Sequence, residues 1–464
     1  MKKIDFSGST VKLGIIFVLV LLFLIPISLI NNLIQDRKSY QRDAIKSITE
    51  PLGGEAEIQG LVIAVPYKRY NEWVDSKDKT HIDVTIKYAI FAPDSYNADI
   101  AVNPYYLTRG IFKVPVFNGD IDLKADFSDF DFSYFGIEAK DIVEKDAVLI
   151  LGFSNTKNLT AQPKLSINGK DLSLSPIKYD AISPFTTSVY YTLSGIDLKG
   201  KQSLSGKIDF QGGENIKIRP IATDNYFSMK SDWTSPSFSG GWLPKERNIS
   251  ENGFSAVWNI AGLSTVYPKS WLSEKEFKPE SLKVSFMIPV DAYKKTERSV
   301  KYALLFLIIP FIALLISEIF SKIKIHPVQY CLIGFADIIF YLLLLSISEH
   351  LSFDSTYFVC AVCVSLSTLF YASAIFRQIK WGGLLSGVQF ISYIFLYGTL
   401  QAEDYALLIG SIGLFIVVVL LMFITRKIDW YELGNELVSE RKNSDSEEYS
   451  DPYKLGRELH PDKQ

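Results

Sequence analysis

From Lys301 onward the sequence packs five apolar stretches into little over a hundred residues, after a single apolar stretch at Val11–Ile30. About twenty apolar residues, rising 1.5 Å each as a helix, cross a hydrocarbon core of roughly 30 Å. The chain therefore predicts a membrane protein with six transmembrane α-helices, one N-terminal at Val11–Ile30 and five C-terminal. The latter fall near Tyr302–Phe320, Gln329–Ile347, Thr356–Phe376, Gly382–Leu400 and Tyr405–Thr425. The first stretch runs through Leu29 and Ile30 into Asn31 and Asn32 with no small-residue cleavage pattern, so it reads as an uncleaved signal anchor. A large polar region, residues 31–300, lies between this anchor and the bundle formed by residues 301–427.

Short connections make neighbouring spans antiparallel, and an even number of spans puts both termini on one side. Basic residues resist translocation and collect on the cytoplasmic face. Lys2, Lys3 and Lys12 lie at the start of the chain and of its first span; Lys322 and Lys324 separate the second and third spans. Arg377 and Lys380 separate the fourth and fifth, and Arg426 and Lys427 follow the sixth. The alternate loops, Ser348–Ser355 and Gln401–Asp404, carry Glu349, Asp354, Glu403 and Asp404 but no Lys or Arg. The expected topology has both termini in the cytoplasm and residues 31–300 exported. Residues 428–464 form a cytoplasmic tail whose acidic, Ser-containing stretch Ser439–Asp451 predicts disorder.

Past the first span, Leu33, Ile34, Ala44, Ile45 and Ile48 alternate with Asp36, Arg37, Lys38, Arg42 and Lys46, which continues the helix until Pro51, Gly53 and Gly54 stop it. Beyond that point β-branched and aromatic residues recur with period two at 59–66, 81–88, 121–127 and 281–288, bounded by Gly, Pro, Asn and Asp. Hairpin turns are expected at Asn118-Gly119-Asp120 and at Asn168-Gly169-Lys170-Asp171. The exported region reads as a mainly-β, sandwich-like domain, and a sag in strand signal near Ala181–Thr192 marks a candidate boundary between two lobes.

A net charge of −3 and a pI near 6 give no sign of a nucleic-acid partner. All three cysteines, Cys331, Cys360 and Cys363, fall in predicted spans, so the exported region must rely on a hydrophobic core and not on disulfides. Cys360 and Cys363 have C-x-x-C spacing inside an apolar helix with no second pair, and read as small residues between packed helices. The four histidines, His81, His326, His350 and His460, are too scattered to share a metal. Neither a metal nor a cofactor is expected. H-E-x-x-H, G-x-S-x-G, P-loop and Rossmann patterns are missing. S-x-x-K occurs at Ser76–Lys79 and Ser154–Lys157, but without the S-D-N and K-T-G companions of penicillin-binding enzymes, and the chain reads as non-enzymatic.

Three sets of residues are candidates for function. Asp337 and Glu318 are ionisable groups within spans, where each needs a partner, a cavity or a role. Glu318, near the inner end of its span, is placed to snorkel toward water or to meet Lys322 one turn on. Asp337, deeper, is expected to face other helices, either as a hydrogen-bond node or as part of an ion path. A second set joins Glu349, His350, Glu403 and Asp404 of the acidic loops with Arg298 and Lys301, just before the second span, as a coupling point between the exported module and the bundle. Third, Trp233 and Trp242, followed by Trp258 and Trp271, place four of seven tryptophans close together. They are read either as a surface that stacks on sugars or grips a partner, or as core and membrane-interface residues.

The segments Arg298-Ser-Val-Lys-Tyr-Ala-Leu-Leu-Phe306, His326-Pro-Val-Gln-Tyr330, Phe340-Tyr-Leu-Leu-Leu-Leu-Ser-Ile-Ser-Glu-His350 and Glu403-Asp-Tyr-Ala-Leu-Leu-Ile-Gly-Ser411 resemble the CreD family of bacterial inner-membrane proteins. The likeness extends through Arg109-Gly-Ile-Phe112, Trp233-Thr-Ser-Pro-Ser-Phe-Ser-Gly240, Gly253-Phe-Ser-Ala-Val-Trp258 and Pro289-Val-Asp-Ala-Tyr293. It implies a multi-pass inner-membrane protein of cell-envelope integrity, in a family linked to colicin tolerance, β-lactam stress and control by a two-component system. It supplies no catalytic or ligand-binding residues. The expected function is envelope maintenance, with the lipid bilayer as one partner and cell-wall or envelope proteins as others. The alternatives are a small transporter or channel that uses Asp337, Glu318 and the acidic loops, and, third, an envelope hydrolase.

Overall fold

The computed structural model describes residues 9–426 apart from residues 77, 129, 176–182, 274, 276, 278–279, 287–291 and 403–404. The predicted tail, residues 428–464, lies outside the described residues. The chain forms two compact units, one of Met1–Ser39 with Val290–Gln464 and one of Tyr40–Pro289.

Seven helices are described: α1 (Ser9–Thr49), α2 (Ala292–Lys301), α3 (Ala303–Ser321), α4 (Pro327–Ser348), α5 (Phe353–Phe376), α6 (Ile379–Gln401) and α7 (Ala406–Thr425). All but α2 are long and apolar enough to cross a membrane. Side-chain caps and left-handed residues set several of the helix ends. His326 caps α4 with Gln329 as the reciprocal partner and Pro327 in the first turn, while Ser352 accepts from Ser355 N–H at the start of α5. Lys322 and Arg377 adopt left-handed backbone that terminates α3 and α5. Glycines set close helix approach, Gly413 of α7 against the Phe395 ring of α6 among them. A Cβ on Gly334 would lie 2.5 Å from the ring of Phe23, and one on Gly382 would lie 2.0 Å from Ser373 Oγ. Phe23 is thereby seated between Gly334 and Phe311, which fixes α1 against α3 and α4. α1 and α7 bury the least of their surface and border the bundle.

The other unit holds the strands β1 (Ala56–Val74), β2 (Thr80–Phe91), β3 (Ser95–Arg109), β4 (Phe112–Phe127), β5 (Val148–Phe153), β6 (Lys164–Ile167), β7 (Lys170–Asp171), β8 (Ser173–Leu174), β9 (Thr187–Thr192), β10 (Gln202–Gly213), β11 (Asn215–Ile218), β12 (Asp224–Ser231), β13 (Pro236–Gly240), β14 (Glu246–Ser250), β15 (Gly253–Ala261), β16 (Ser270–Leu272) and β17 (Leu282–Phe286). They build two sheets around one core. The first has the order β13-β17-β11-β1-β5-β9-β8, with β2 on β1 and β16 on β2; the second is β14-β15-β12-β3-β4-β10-β6-β7. Both are mixed, through the parallel pairs β1–β11 and β3–β12.

In the second sheet alternate residues face the core. Tyr96, Ala98, Ile100 and Val102 of β3 and Phe254, Ala256, Trp258 and Ile260 of β15 are buried while most residues between them are not. Leu61–Val65 of β1 and all of β5 are buried without alternation, as expected of central strands covered on both faces. The buried side chains of Gln59, Asn158, Gln202 and Asn225 bond to loops, and Arg219 meets Glu57 at 3.2 Å beside Ser281.

Two local expectations differ from the fold. Asn118-Gly119-Asp120 is no turn; it runs through the middle of β4, paired with β3 and β10. Gly119 is there for space, since a Cβ would lie 2.6 Å from Ala101 O and 2.7 Å from the Phe210 ring. The weak stretch near 181–192 ends in β9, which pairs with β5 and buries Tyr190 and Tyr191 in the common core, so Tyr40–Pro289 is one unit and not two lobes. The second predicted hairpin is present. Asn168 and Gly169, at φ 50° and 78°, join β6 to β7.

Replacing Gly119 with Val should destabilise the β unit by about 1–3 kcal/mol through overpacking. Denaturant unfolding of the full-length protein, followed by tryptophan emission, checks this; an unshifted midpoint would mean the strand has room.

Candidate functional site

The polar centre of the bundle is Asp337 on α4, 3% exposed. Its Oδ1 accepts from Tyr393 Oη at 2.9 Å and from Gln389 Nε2, both on α6 and one turn apart. Oδ2 has no hydrogen-bond partner, and neither have Gln389 Oε1 or Tyr341 Oη, one turn along α4 from Asp337. Aromatic faces close the centre. Phe340 stacks on Tyr393 at 4.3 Å, and Tyr357 of α5 donates to the Tyr393 carbonyl at 2.8 Å.

Glu318 on α3 turns inward, where the sequence placed it toward water or Lys322. It is 8% exposed; Oε1 accepts from Ile325 N–H at 2.9 Å and Oε2 from Tyr330 Oη at 2.9 Å. The carboxylate thus satisfies the backbone of the short α3–α4 link, a better use of a buried charge than a flexible ion pair. Cys360 is buried and Cys363 exposed on α5.

At the other end of the bundle, charges from four helices meet. Arg37 of α1 approaches Glu349 at 3.5 Å, and Tyr293 of α2 donates to the same oxygen at 2.9 Å. Lys38 pairs with Glu297 of α2, which also takes Lys301 at 3.4 Å. Lys295 donates to Gln401 at 3.1 Å, and Gln401 to Asp354 at 2.9 Å. Of the residues the sequence grouped together, Glu349 is held here by Arg37 and Tyr293 while Lys301 turns to its own helix. His350 is exposed, Arg298 half-buried on α2, and Glu403 and Asp404 lie outside the described residues. Arg37, Lys38, Tyr293, Lys295 and Glu297 escaped the sequence reading. The available signal was the continuation of the first helix past the membrane, which carries Arg37 and Lys38 on a rigid rod.

In the β unit, Trp233 and Trp242 are both half-buried against the core; Trp233 lies 5.3 Å from the Tyr106 ring and 5.9 Å from that of Phe286. Trp258 and Trp271 are buried. The exposed aromatic surface is elsewhere. Residues 68–74 of β1 and 80–86 of β2 form a two-stranded ribbon in which Tyr70, Val74, Ile82, Val84 and Ile86 share one face and are each at least half exposed. The opposite face is polar and self-contained: Trp73 stacks on His81 at 4.6 Å and donates to Asp83 at 2.8 Å, and His81 meets Asp75 at 3.0 Å.

A profile described as inner membrane protein CreD matches residues 9–431. The chain belongs to the CreD family. It is similar to inner membrane protein CreD of Escherichia coli (strain K12), with 28% identity over 424 residues that cover 90% of this chain and 93% of that one. A solved crystal structure from Parabacteroides distasonis aligns over 64% of this chain and 59% of that one at 10% identity, with a TM-score of 0.20 that carries no argument. The family and the six apolar helices agree on a multi-pass inner-membrane protein.

In this CreD-family chain Glu297 has two lysine partners, Lys38 and Lys301. The hydrogen bond from Lys38 lowers its pKa, burial opposes this, and the charges of Lys38 and Lys301 add to the lowering, so that it lies below its ordinary 4.5. A depressed folded-state value means the contribution is present above about pH 4.5 and lost as pH falls through the lower folded value. A double-mutant cycle of Lys38→Ala and Glu297→Ala, read by thermal unfolding in detergent, should show coupling of about 0.5–1 kcal/mol at neutral pH that fades in acid. Additivity at neutral pH would show the pair contributes nothing.

Proposed function

We propose that this CreD-family protein maintains the cell envelope without catalysis, its β unit exported and binding an envelope component or partner protein through the β1–β2 ribbon. One observation carries the reading: five apolar side chains, Tyr70, Val74, Ile82, Val84 and Ile86, stand at least half exposed together on one face of that ribbon. Contiguous exposed apolar surface on a folded domain marks an interaction site. The family resemblance supplies the envelope setting. The basic residues Lys322, Lys324, Arg377, Lys380 and Arg426 of the short connections support a topology with cytoplasmic termini.

A non-enzymatic reading is supported by the fate of Ser154, the best placed S-x-x-K serine. Its hydroxyl accepts from Glu57 N–H at 3.1 Å and lies within bonding distance of Glu55 O and Asn158 Oδ1, so it ties a loop to β1. For Asp337, bonds to Gln389 and Tyr393 among stacked rings support a structural node over a transport path.

A photo-cross-linking residue at position 84 of the full-length protein in cells should trap a discrete partner. With the cross-linker kept at position 84, the pair Tyr70→Lys and Ile82→Lys should weaken capture about tenfold or more, the loss expected when one or two apolar side chains leave an interface, while membrane levels stay normal. No adduct, or an adduct unaffected by the lysines, sinks the ribbon assignment. In a cysteine-free background, a cysteine at position 230 should label from the outer face of the inner membrane; labelling only after permeabilisation would invert the topology.

A further inference from the structure

We propose that the membrane bundle holds a bound proton on Asp337, shared with Gln389 as a carboxylic acid–amide pair: Gln389 Nε2–H donates to Asp337 Oδ1, and Asp337 Oδ2–H donates back to Gln389 Oε1.

The hydrogen-bond inventory points to this. Both donors that reach Asp337, Gln389 Nε2 and Tyr393 Oη, fall on Oδ1. Oδ2 and Gln389 Oε1 are both buried and both without a partner. These two oxygens belong to the planar groups already joined through Nε2 and Oδ1. With an ionised Asp337 the centre contains two desolvated acceptors, neither of which receives a hydrogen bond, a double penalty for groups sealed from water that the single unpartnered hydroxyl of Tyr341 could relieve at one oxygen and not at both. One added proton resolves both: it sits on Oδ2 and satisfies Oε1. Exchanging the amide oxygen and nitrogen does not remove the need, because Oε1 would then face Oδ1 and two acceptors would again require a proton between them.

Charge around the centre agrees. Among the described residues, the buried polar and charged side chains of the membrane unit are Ser and Thr hydroxyls, Gln389, Glu318 and Asp337; no Lys, Arg or His is among them. The buried titratable groups on the helices around Asp337 are Tyr330 and Tyr341 on its own helix, Tyr357 and Cys360 on α5, Tyr393 on α6 and Glu318 on α3, none of which is a cation; Lys380 of α6 is exposed at the start of that helix. A carboxylate at this depth has no counter-charge, whereas a carboxylic acid needs none. Tyr393 donates to Oδ1 in either state and so fixes which oxygen carries the proton.

Infrared difference spectra of the full-length protein in lipid nanodiscs, wild type minus Asp337→Asn, test this. At neutral pH the expected difference is a carboxylic acid C=O band that shifts on transfer to deuterium oxide. The Glu318 signal, common to both proteins, cancels. Gln389→Leu should retain the acid band and move it to higher frequency, since its Oδ2–H loses its acceptor. Asp337→Asn should fold and melt with the wild type, because its amide N–H replaces the acid O–H toward Oε1. Carboxylate bands in place of the acid band at neutral pH overturn the proposal, as does a failure of Asp337→Asn to fold, which would mean that the negative charge is required. Loss of the acid band on adding sodium at constant pH would overturn it in favour of a cation held by the same oxygens.

Discussion

A hydrocarbon interior offers no hydrogen bond to anything it surrounds, and the membrane unit is arranged around that fact. Ser317, Ser392 and Thr399, all buried, each return their hydroxyl to the carbonyl one turn back, at 2.8–2.9 Å, and so satisfy the donor within their own helix. Other polar groups are used between helices: Asp337 with Gln389 and Tyr393, Tyr357 with the Tyr393 carbonyl, Ser386 with the Ser365 carbonyl at 2.7 Å. These bonds tie α4 and α5 to α6. α1 and α7, which bury least, need only apolar packing, such as Phe23 over Gly334. Polarity therefore decides which helices form the centre of the bundle and which border it.

The β unit meets water and handles polar groups differently. Arg219 is buried, yet its guanidinium reaches Glu57 at 3.2 Å and Tyr267 at 3.3 Å, while Glu57 also takes Ser281 at 2.6 Å and Gln59 at 2.9 Å. Burial alone would raise the Glu57 pKa; the bonds from Ser281 and Gln59 and the charge of Arg219 outweigh it and lower the value. An ion pair of this kind joins β1 to the segment after β11 and fixes the register where a parallel strand pair offers few other constraints.

What the sequence made legible follows the range of the interactions involved. The spans were readable because a run of apolar residues is a local property, and the helix ends because Pro327, Gln329 and Ser352 act within one turn. Period-two alternation found β1, β2, β4 and β17. Failures came where a distant partner decides. The Asn118-Gly119 pair has the local chemistry of a turn, but Gly119 answers to Ala101 and Phe210 across the sheet. Glu318 had an obvious neighbour in Lys322, yet its geometry is set by Ile325 N–H and Tyr330 beyond the loop. Arg37 and Glu349 lie at opposite ends of the chain, and no local pattern announces their meeting. Trp233 and Trp242 drew attention as a cluster, while the more exposed Trp73 stood alone in sequence.

That last miss has a structural origin that bears on function. Ile82, Val84 and Ile86 alternate as a buried strand face should, and only the lengths of β1 and β2 relative to the strands beside them reveal that this face stays at least half exposed. A two-stranded ribbon alone is marginal in water. Here its polar face supplies order without a core: Trp73 bridges to Asp83 and stacks on His81, Asn71 reaches Thr85 at 3.3 Å, and the pairs from Ile63 to Tyr67 continue the same register into the buried sheet. Cross-strand pairs of this kind contribute roughly 0.2–1 kcal/mol each. The apolar face is thus held extended by the ribbon itself, and the partner proposed for it would avoid most of the entropy of ordering a loop. An unanchored hairpin of the same composition would collapse its isoleucines and valines onto themselves; the tryptophan on the far side is what keeps them presented.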